Sequence, residues 1–170
     1  GTGLISGTLD HNDRRTASLK VSDNSNVITH IPLDNLIDDK TDVILLKVDT
    51  DGFDYDVIKS GKGILSNSEP ILFWENEITE DFQYDGFIEL YDLLDSKGYK
   101  YVYIFDNYGN LITDSISFET LKNINSYMTS MRKYNCTRTF YYTDILATTE
   151  KNISIVKNAI SEYRKDWINK

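Results

Sequence analysis

Three short apolar runs, separated by stretches of helical period, limit the folds open to this chain. Val43-Ile44-Leu45-Leu46-Lys47-Val48, Pro70-Ile71-Leu72-Phe73-Trp74 and Tyr99 to Phe105 each read as a strand. The first two are almost continuously apolar, the pattern of strands covered on both faces of a sheet. Between them Val57, Ile58, Gly61 and Ile64 fall at helical spacing. Between the second and third runs, Phe87, Ile88, Tyr91 and Leu94 mark an amphipathic helix closed by Gly98. Strand, helix, strand, helix, strand with short links predicts right-handed crossovers and an α/β fold with a mainly parallel sheet.

The flanks are less regular. Residues 1–40 are rich in Gly, Ser, Thr, Asn and Asp and read as a loop-rich leading segment, with edge strands at Ala17 to Val21 and Val27 to Ile31. After the third run, Asn107-Tyr108-Gly109-Asn110 is a turn into Leu111-Ile112-Thr113. Leu121, Ile124, Met128 and Met131 then carry a helical stripe. Phe140 to Thr148 reads as a further strand, antiparallel and at or near the sheet edge. Residues 151–170 form a C-terminal helix, with Ile153, Val156, Ile160, Tyr163 and Trp167 three and four apart behind Asn152 as its cap. Tyr99, Tyr101 and Tyr103 alternate, which predicts one aromatic sheet face. Residues 1–170 are read as a single domain, long enough to bury a real core.

Charge and cysteine usage exclude several functions. Eighteen basic against 27 acidic residues give a net charge of −9, which argues against a phosphate-neutralising nucleic-acid surface. No run approaches the roughly 18–20 apolar residues of a membrane helix, and no signal segment opens the chain. The lone Cys136 cannot make an internal disulfide. A cytoplasmic protein without membrane partners is expected.

Ligands of open parallel sheets collect beyond the carboxyl ends of the strands. Asp49, Asp51 and Gly52 follow the first run; Glu75, Asn76 and Glu77 follow the second. If those strands are neighbours, Asp49, Glu75 and Asn76 converge at one rim. Two carboxylates and an amide oxygen are hard donors suited to Mg²⁺, which would polarise a substrate hydroxyl. The alternative is structural: Asp49 caps the next helix and Glu75 makes ordinary hydrogen bonds. Lys47, a polar residue inside an apolar run, is either a paired strand residue or a second catalytic candidate, as is Asp51. Gly52 suits a tight turn from strand to helix. His11 and His30 lack a partner of diagnostic spacing.

Leu33-Asp34-Asn35-Leu36-Ile37, then Leu46-Lys47-Val48-Asp49-Thr50-Asp51-Gly52-Phe53-Asp54, then Val57-Ile58-Lys59-Ser60-Gly61 and Pro70 to Glu75 together resemble the FkbM family of S-adenosylmethionine-dependent methyltransferases. Asp51 and Asp54 stand where that family carries glutamate, and Thr50 where it carries valine. The resemblance implies a Rossmann-like class I methyltransferase sheet, mainly parallel with an antiparallel strand near one edge. Val43–Asp49, Pro70–Glu75, Tyr99–Phe105 and Phe140–Thr148 would be its fourth to seventh strands. A glycine-rich turn after strand one and an acid after strand two, which hold the cofactor in that fold, have no counterpart upstream of Val43. The chain is therefore expected to be the substrate-side half, lacking the N-terminal cofactor-binding half and inactive alone.

The implied activity is O-methylation of a hydroxyl on a small-molecule or carbohydrate acceptor, a sugar or secondary metabolite, with S-adenosylmethionine as donor. Related metal-dependent enzymes place a carboxylate after strand four and an acid–amide pair after strand five, matching Asp49 and Glu75-Asn76. The rival reading is a non-catalytic interaction or scaffold module, pairing with a second copy or another segment through an exposed sheet edge.

Overall fold

The computed structural model describes residues 4–11, 17–21, 27–29, 31–135 and 141–168, with side chains from 31 onward as far as 135 and over 141–165. His30, Cys136 and the start of the strand expected from Phe140 lie outside the described residues.

Leu4–His11 (β1), Ala17–Val21 (β2) and Val27–Thr29 (β3) form an antiparallel sheet in the order β2-β1-β3. The edge strands expected near Ala17 and Val27 are present. β1 replaces an expected loop, because its polar, glycine-containing sequence shows no clear alternation.

The body begins with a short helix, Leu33–Leu36 (α1). Leu45–Val48 (β4), Asp54–Lys59 (α2), Lys62–Asn67 (α3), Ile71–Asn76 (β5), Asp81–Ser96 (α4) and Tyr101–Asp106 (β6) follow. Leu111–Ile116 (β7), Phe118–Lys133 (α5), Thr143–Thr148 (β8) and, after a 3₁₀ turn, Ile153–Ile168 (α6) complete it.

The sheet order is β4-β5-β8-β6-β7. This corrects the expected pairing. Only β4 and β5 pair in parallel; β5 with β8, β8 with β6 and β6 with β7 are antiparallel. β4, β5 and β6 still run the same way, as their crossovers require, and β8, antiparallel as expected, inserts between β5 and β6, two strands in from the β7 edge. The β6–β7 hairpin and α5 bring the chain back to the carboxyl end of β5, so β8 can enter only in reverse.

One face of this sheet packs against α2, α3, α4 and α5 through Leu72, Trp74, Phe87, Leu90, Tyr91 and Ile145, all fully buried. The other face is covered by α6, whose Val156 and Ile160 meet Ile71, Tyr103 and Phe105. Tyr101 and Tyr103 share that α6 face, but Tyr99 precedes the strand and turns into the opposite core, its hydroxyl donating to the Pro70 carbonyl at 2.9 Å. Asn152 does not act as a simple cap; its side-chain amide donates to the Glu69 carbonyl at 2.9 Å, tying α6 to the loop before β5. The single helix expected over 57–64 breaks at Ser60-Gly61 into α2 and α3. The buried stripe of α5 is Phe118, Leu121, Asn125 and Thr129, a different phase from the methionine stripe, because a buried polar network takes Asn125 inward.

Candidate functional site at the strand ends

β4 and β5 are neighbours in register, Lys47 beside Phe73 and Val48 beside Trp74, so Asp49 reaches the level of Glu75. The two carboxylates predicted to converge therefore share one rim. Lys47 and Asp49 form an exposed ion pair at 2.6 Å, and that hydrogen bond raises the lysine pKa, holding the ammonium charged. Lys47 thus stands as a charged partner of Asp49 at the rim.

Glu75 is half-buried, and burial first, then the charges of Glu77, Asp49, Asp54 and Asp144, push its carboxyl up to about 7. Asp144 lies directly opposite Glu75 in the antiparallel β5–β8 ladder. Burial and then Asp49 raise it to about 6, against the lowering effect of Lys47. Like charges opposite one another in a sheet repel, so this pair is held together at a cost. Burial and then the charges of Glu75 and Asp144 raise the Tyr142 hydroxyl beside this pair. Glu77 is raised too, by burial and by Asp51. Asp144 follows no apolar run in the sequence, because it stands near the start of β8 and not after a strand. The first residues of an antiparallel strand stand at the same rim.

Asn76 does not join these groups. It is 1% exposed, with its amide nitrogen donating to Asn125 Oδ1 at 2.8 Å and Thr143 Oγ1 at 3.0 Å. Its oxygen accepts from the Tyr91 hydroxyl at 2.6 Å and from Asn125 Nδ2 at 3.2 Å. The amide oxygen expected to help hold Mg²⁺ is thus spent on the core side of β5. Among the described residues no group of three or more His, Cys, Asp or Glu is placed to hold a metal ion. The donor set Asp49, Glu75 and Asn76 does not fit Mg²⁺.

The structural alternative for Asp49 is not seen either: Phe53, not Asp49, is the N-cap residue of α2, and no side chain caps it. Asp54 does the tying instead. Fully buried, it accepts from Thr50 N at 3.3 Å and Thr50 Oγ1 at 3.1 Å, and from Glu75 N at 3.3 Å. One carboxylate thereby fixes the turn after β4 to the end of β5. Burial raises its pKa while these bonds oppose the shift.

Residues 2–101 match the family described as the methyltransferase FkbM domain. The chain belongs to that family. No curated protein and no solved structure matches it. No helix among the described residues is long and apolar enough to cross a membrane.

Several segments that resemble the FkbM pattern are here the joints of the fold. Asp34 accepts from Gly63 N at 2.7 Å and Ile64 N at 3.1 Å, satisfying the first N–H groups of α3. Ser60 Oγ accepts from Leu33 N at 2.9 Å and donates to the Val57 carbonyl at 2.6 Å. Gly52 has φ +87°, and a Cβ there would stand 2.3 Å from Gln83 Nε2. Gln83 cannot step aside, because its Oε1 accepts from Thr79 N, Thr79 Oγ1 and Glu80 N at 2.7 to 2.9 Å. Gly52→Ala is therefore expected to destabilise this FkbM domain by about 2–3 kcal/mol, the left-handed backbone and the clash adding. A thermal melt checks it, and an unchanged midpoint would show that the turn relaxes freely.

Proposed function

We propose that this domain serves S-adenosylmethionine-dependent O-methylation of a hydroxyl on a small-molecule or carbohydrate acceptor. The observation that carries the reading is the Glu75 carboxyl, raised to about 7 beside Asp49 and Asp144 at the strand ends of an FkbM-family chain. The cofactor, when bound, supplies an electrophilic methyl group. A sulfonium is cationic, and the acidic rim of Asp49, Asp51, Glu75 and Glu77 suits it by charge. The acceptor hydroxyl donates to Glu75, which as a carboxylate of raised basicity takes the proton as the oxygen becomes nucleophilic. Asp49, steadied by Lys47, orients the hydroxyl. No step here requires a metal.

The test is S-adenosylhomocysteine release by the protein carrying this domain, over a panel of sugar and secondary-metabolite alcohols. Glu75→Gln should lower kcat by about 10²–10⁴-fold and remove the limb of the pH profile near 7, with S-adenosylmethionine binding kept. Asp49→Asn should give a smaller loss, mainly in kcat/KM. Full activity in Glu75→Gln would remove it as the base.

A second reading rests on β4. It is an edge strand, and Ile44 and Leu45 are 65% and 58% exposed. Such an edge favours an interaction module that pairs with another strand. Self-association without S-adenosylmethionine binding would support that reading over the enzyme.

A further inference from the structure

The helix pair α4–α5 is closed at one end and open at the other. The two run antiparallel, with Lys122 on Asp92 at 2.6 Å at one end and Arg132 on Asp81 at 3.0 Å at the other. At the closed end Phe118 stacks on Tyr91 with ring centroids 5.4 Å apart, and Leu121 is fully buried. Midway, Asn125 meets Asn76, the last residue of β5. Thr129 lies four residues on, about 6 Å further along the helix axis, and therefore beyond the carboxyl end of that strand. There the seam opens into a groove of about 360 Å³, at the end of the sheet that carries Glu75 and Asp144.

Its lining is polar where a helix seam is ordinarily apolar. Tyr84 and Asp85 of α4 and Ser126, Thr129 and Ser130 of α5 form it, with Asp81 and Lys133 paired at 3.2 Å. With Arg132 on Asp81, two carboxylates meet two cations, so the groove is neutral as a whole. The informative group is Thr129. In a helix a threonine hydroxyl can bond the carbonyl a turn back, as the Ser130 hydroxyl does with the Ser126 carbonyl at 2.9 Å. Thr129 makes no such bond. It is 9% exposed, and its hydroxyl has no partner among the described residues. A buried hydroxyl left unpaired is costly. Thr129 continues the inward stripe of Phe118, Leu121 and Asn125, where valine would fill the same space without an orphaned oxygen.

We propose that this groove is a binding site for a neutral carbohydrate, the acceptor chain of the methyl transfer. Its volume lies in the range of ligand clefts, about 300–1,000 Å³. Sugar hydroxyls both donate and accept, so they suit the Asp85 carboxylate, which only accepts, and the Ser126 and Thr129 hydroxyls, which do both. The Tyr84 ring offers an apolar wall to the CH face of a pyranose. The cancelled charges select neither an anion nor a cation. The site rests on the methyl-transfer reading for its role, not for its ligand.

Titration calorimetry on the protein carrying this domain, with cellotriose, mannotriose and galactotriose, tests the site. At least one should bind saturably at about millimolar Kd, with glycerol silent and trigalacturonate, repelled by a chain of net charge −9, weaker. Thr129→Val keeps the volume and removes the orphaned hydroxyl. The melting midpoint should therefore hold or rise while sugar binding weakens by about tenfold. Asp85→Asn should weaken binding severalfold. In turnover Thr129→Val should raise KM for the bound sugar, whereas Glu75→Gln lowers kcat. Sugar binding without S-adenosylhomocysteine release would leave the carbohydrate site standing and remove the methyl-transfer reading; turnover untouched by Thr129→Val would do the reverse. Failure of all three trisaccharides to bind, equal binding by Thr129→Val, or trigalacturonate binding as tightly as the neutral sugars overturns the proposal.

Discussion

Asn76→Asp is expected to lower the stability of this domain by about 3–5 kcal/mol at pH 8, the scale of a buried charge left without compensation. The substitution is nearly isosteric, so packing is not the issue. Asn76 is buried with both amide donors used, one to Asn125 Oδ1 and one to Thr143 Oγ1. An aspartate places an acceptor against Asn125 Oδ1 at 2.8 Å and strands a carboxylate among Tyr91, Asn125 and Thr143. Rotating the Asn125 amide repairs one contact only by breaking its donation to the Tyr91 hydroxyl. A fully satisfied polar network is valuable and a half-satisfied one is worse than an apolar core. For a domain of this size the loss corresponds to about 10–15 °C in melting midpoint, read by circular dichroism. The deficit should shrink at pH 5, where the buried acid is protonated. A metal-ligand role predicts the reverse: aspartate is the better donor, and Mg²⁺ would then raise the midpoint of the variant saturably. That result would restore Asn76 to the rim.

Which parts of this outcome were legible in the sequence follows from range. The runs at Val43, Pro70 and Tyr99 and the helix at Phe87 carry local periodicity, and each became an element close to its expected place. Asp49 and Glu75 were legible because a strand end is a local feature. The antiparallel direction of β8 was expected, but its place between β5 and β6 was not legible, since it is decided by the course of β7 and α5, which no local pattern states. Asp144 was lost with it. Asn76 illustrates the converse: its type suits a ligand, but strand alternation places it on the α4 side beside Trp74, where Tyr91 and Asn125 wait, while Glu75 faces the other way. Asp54, read as a conservative replacement within a motif, proved to be the buried tie between β4 and β5.

Stability should fall as pH rises from about 5 to about 8, and Glu75→Gln should abolish much of that fall. In the folded protein Glu75 stands at about 7 against an ordinary 4.5, and Asp144 at about 6 against 3.8. Both are raised, so the folded state binds protons more tightly than the unfolded chain. Their contribution is complete below about pH 4 and is lost progressively as pH climbs through 6 and 7. Carboxyls shifted the other way, such as Asp39 and Asp106, act in the opposite sense in stronger acid. Glu75→Gln removes one ionisation and relieves Asp144, so at pH 8 it should stabilise by on the order of 1–2 kcal/mol and at pH 5 do almost nothing. Asp144→Asn should act alike. If the two carboxyls share one proton, the double variant will gain clearly less than the sum of the singles. Denaturant titrations at the two pH values supply all four corners of that cycle. A pH-independent gain, or strict additivity, would show that the carboxyls do not interact across the ladder. The sign matters for function as well: a substitution that stabilises at pH 8 while abolishing turnover identifies a pair kept for chemistry at the expense of the fold, whereas one that stabilises and leaves turnover intact leaves the repulsion without a catalytic reason.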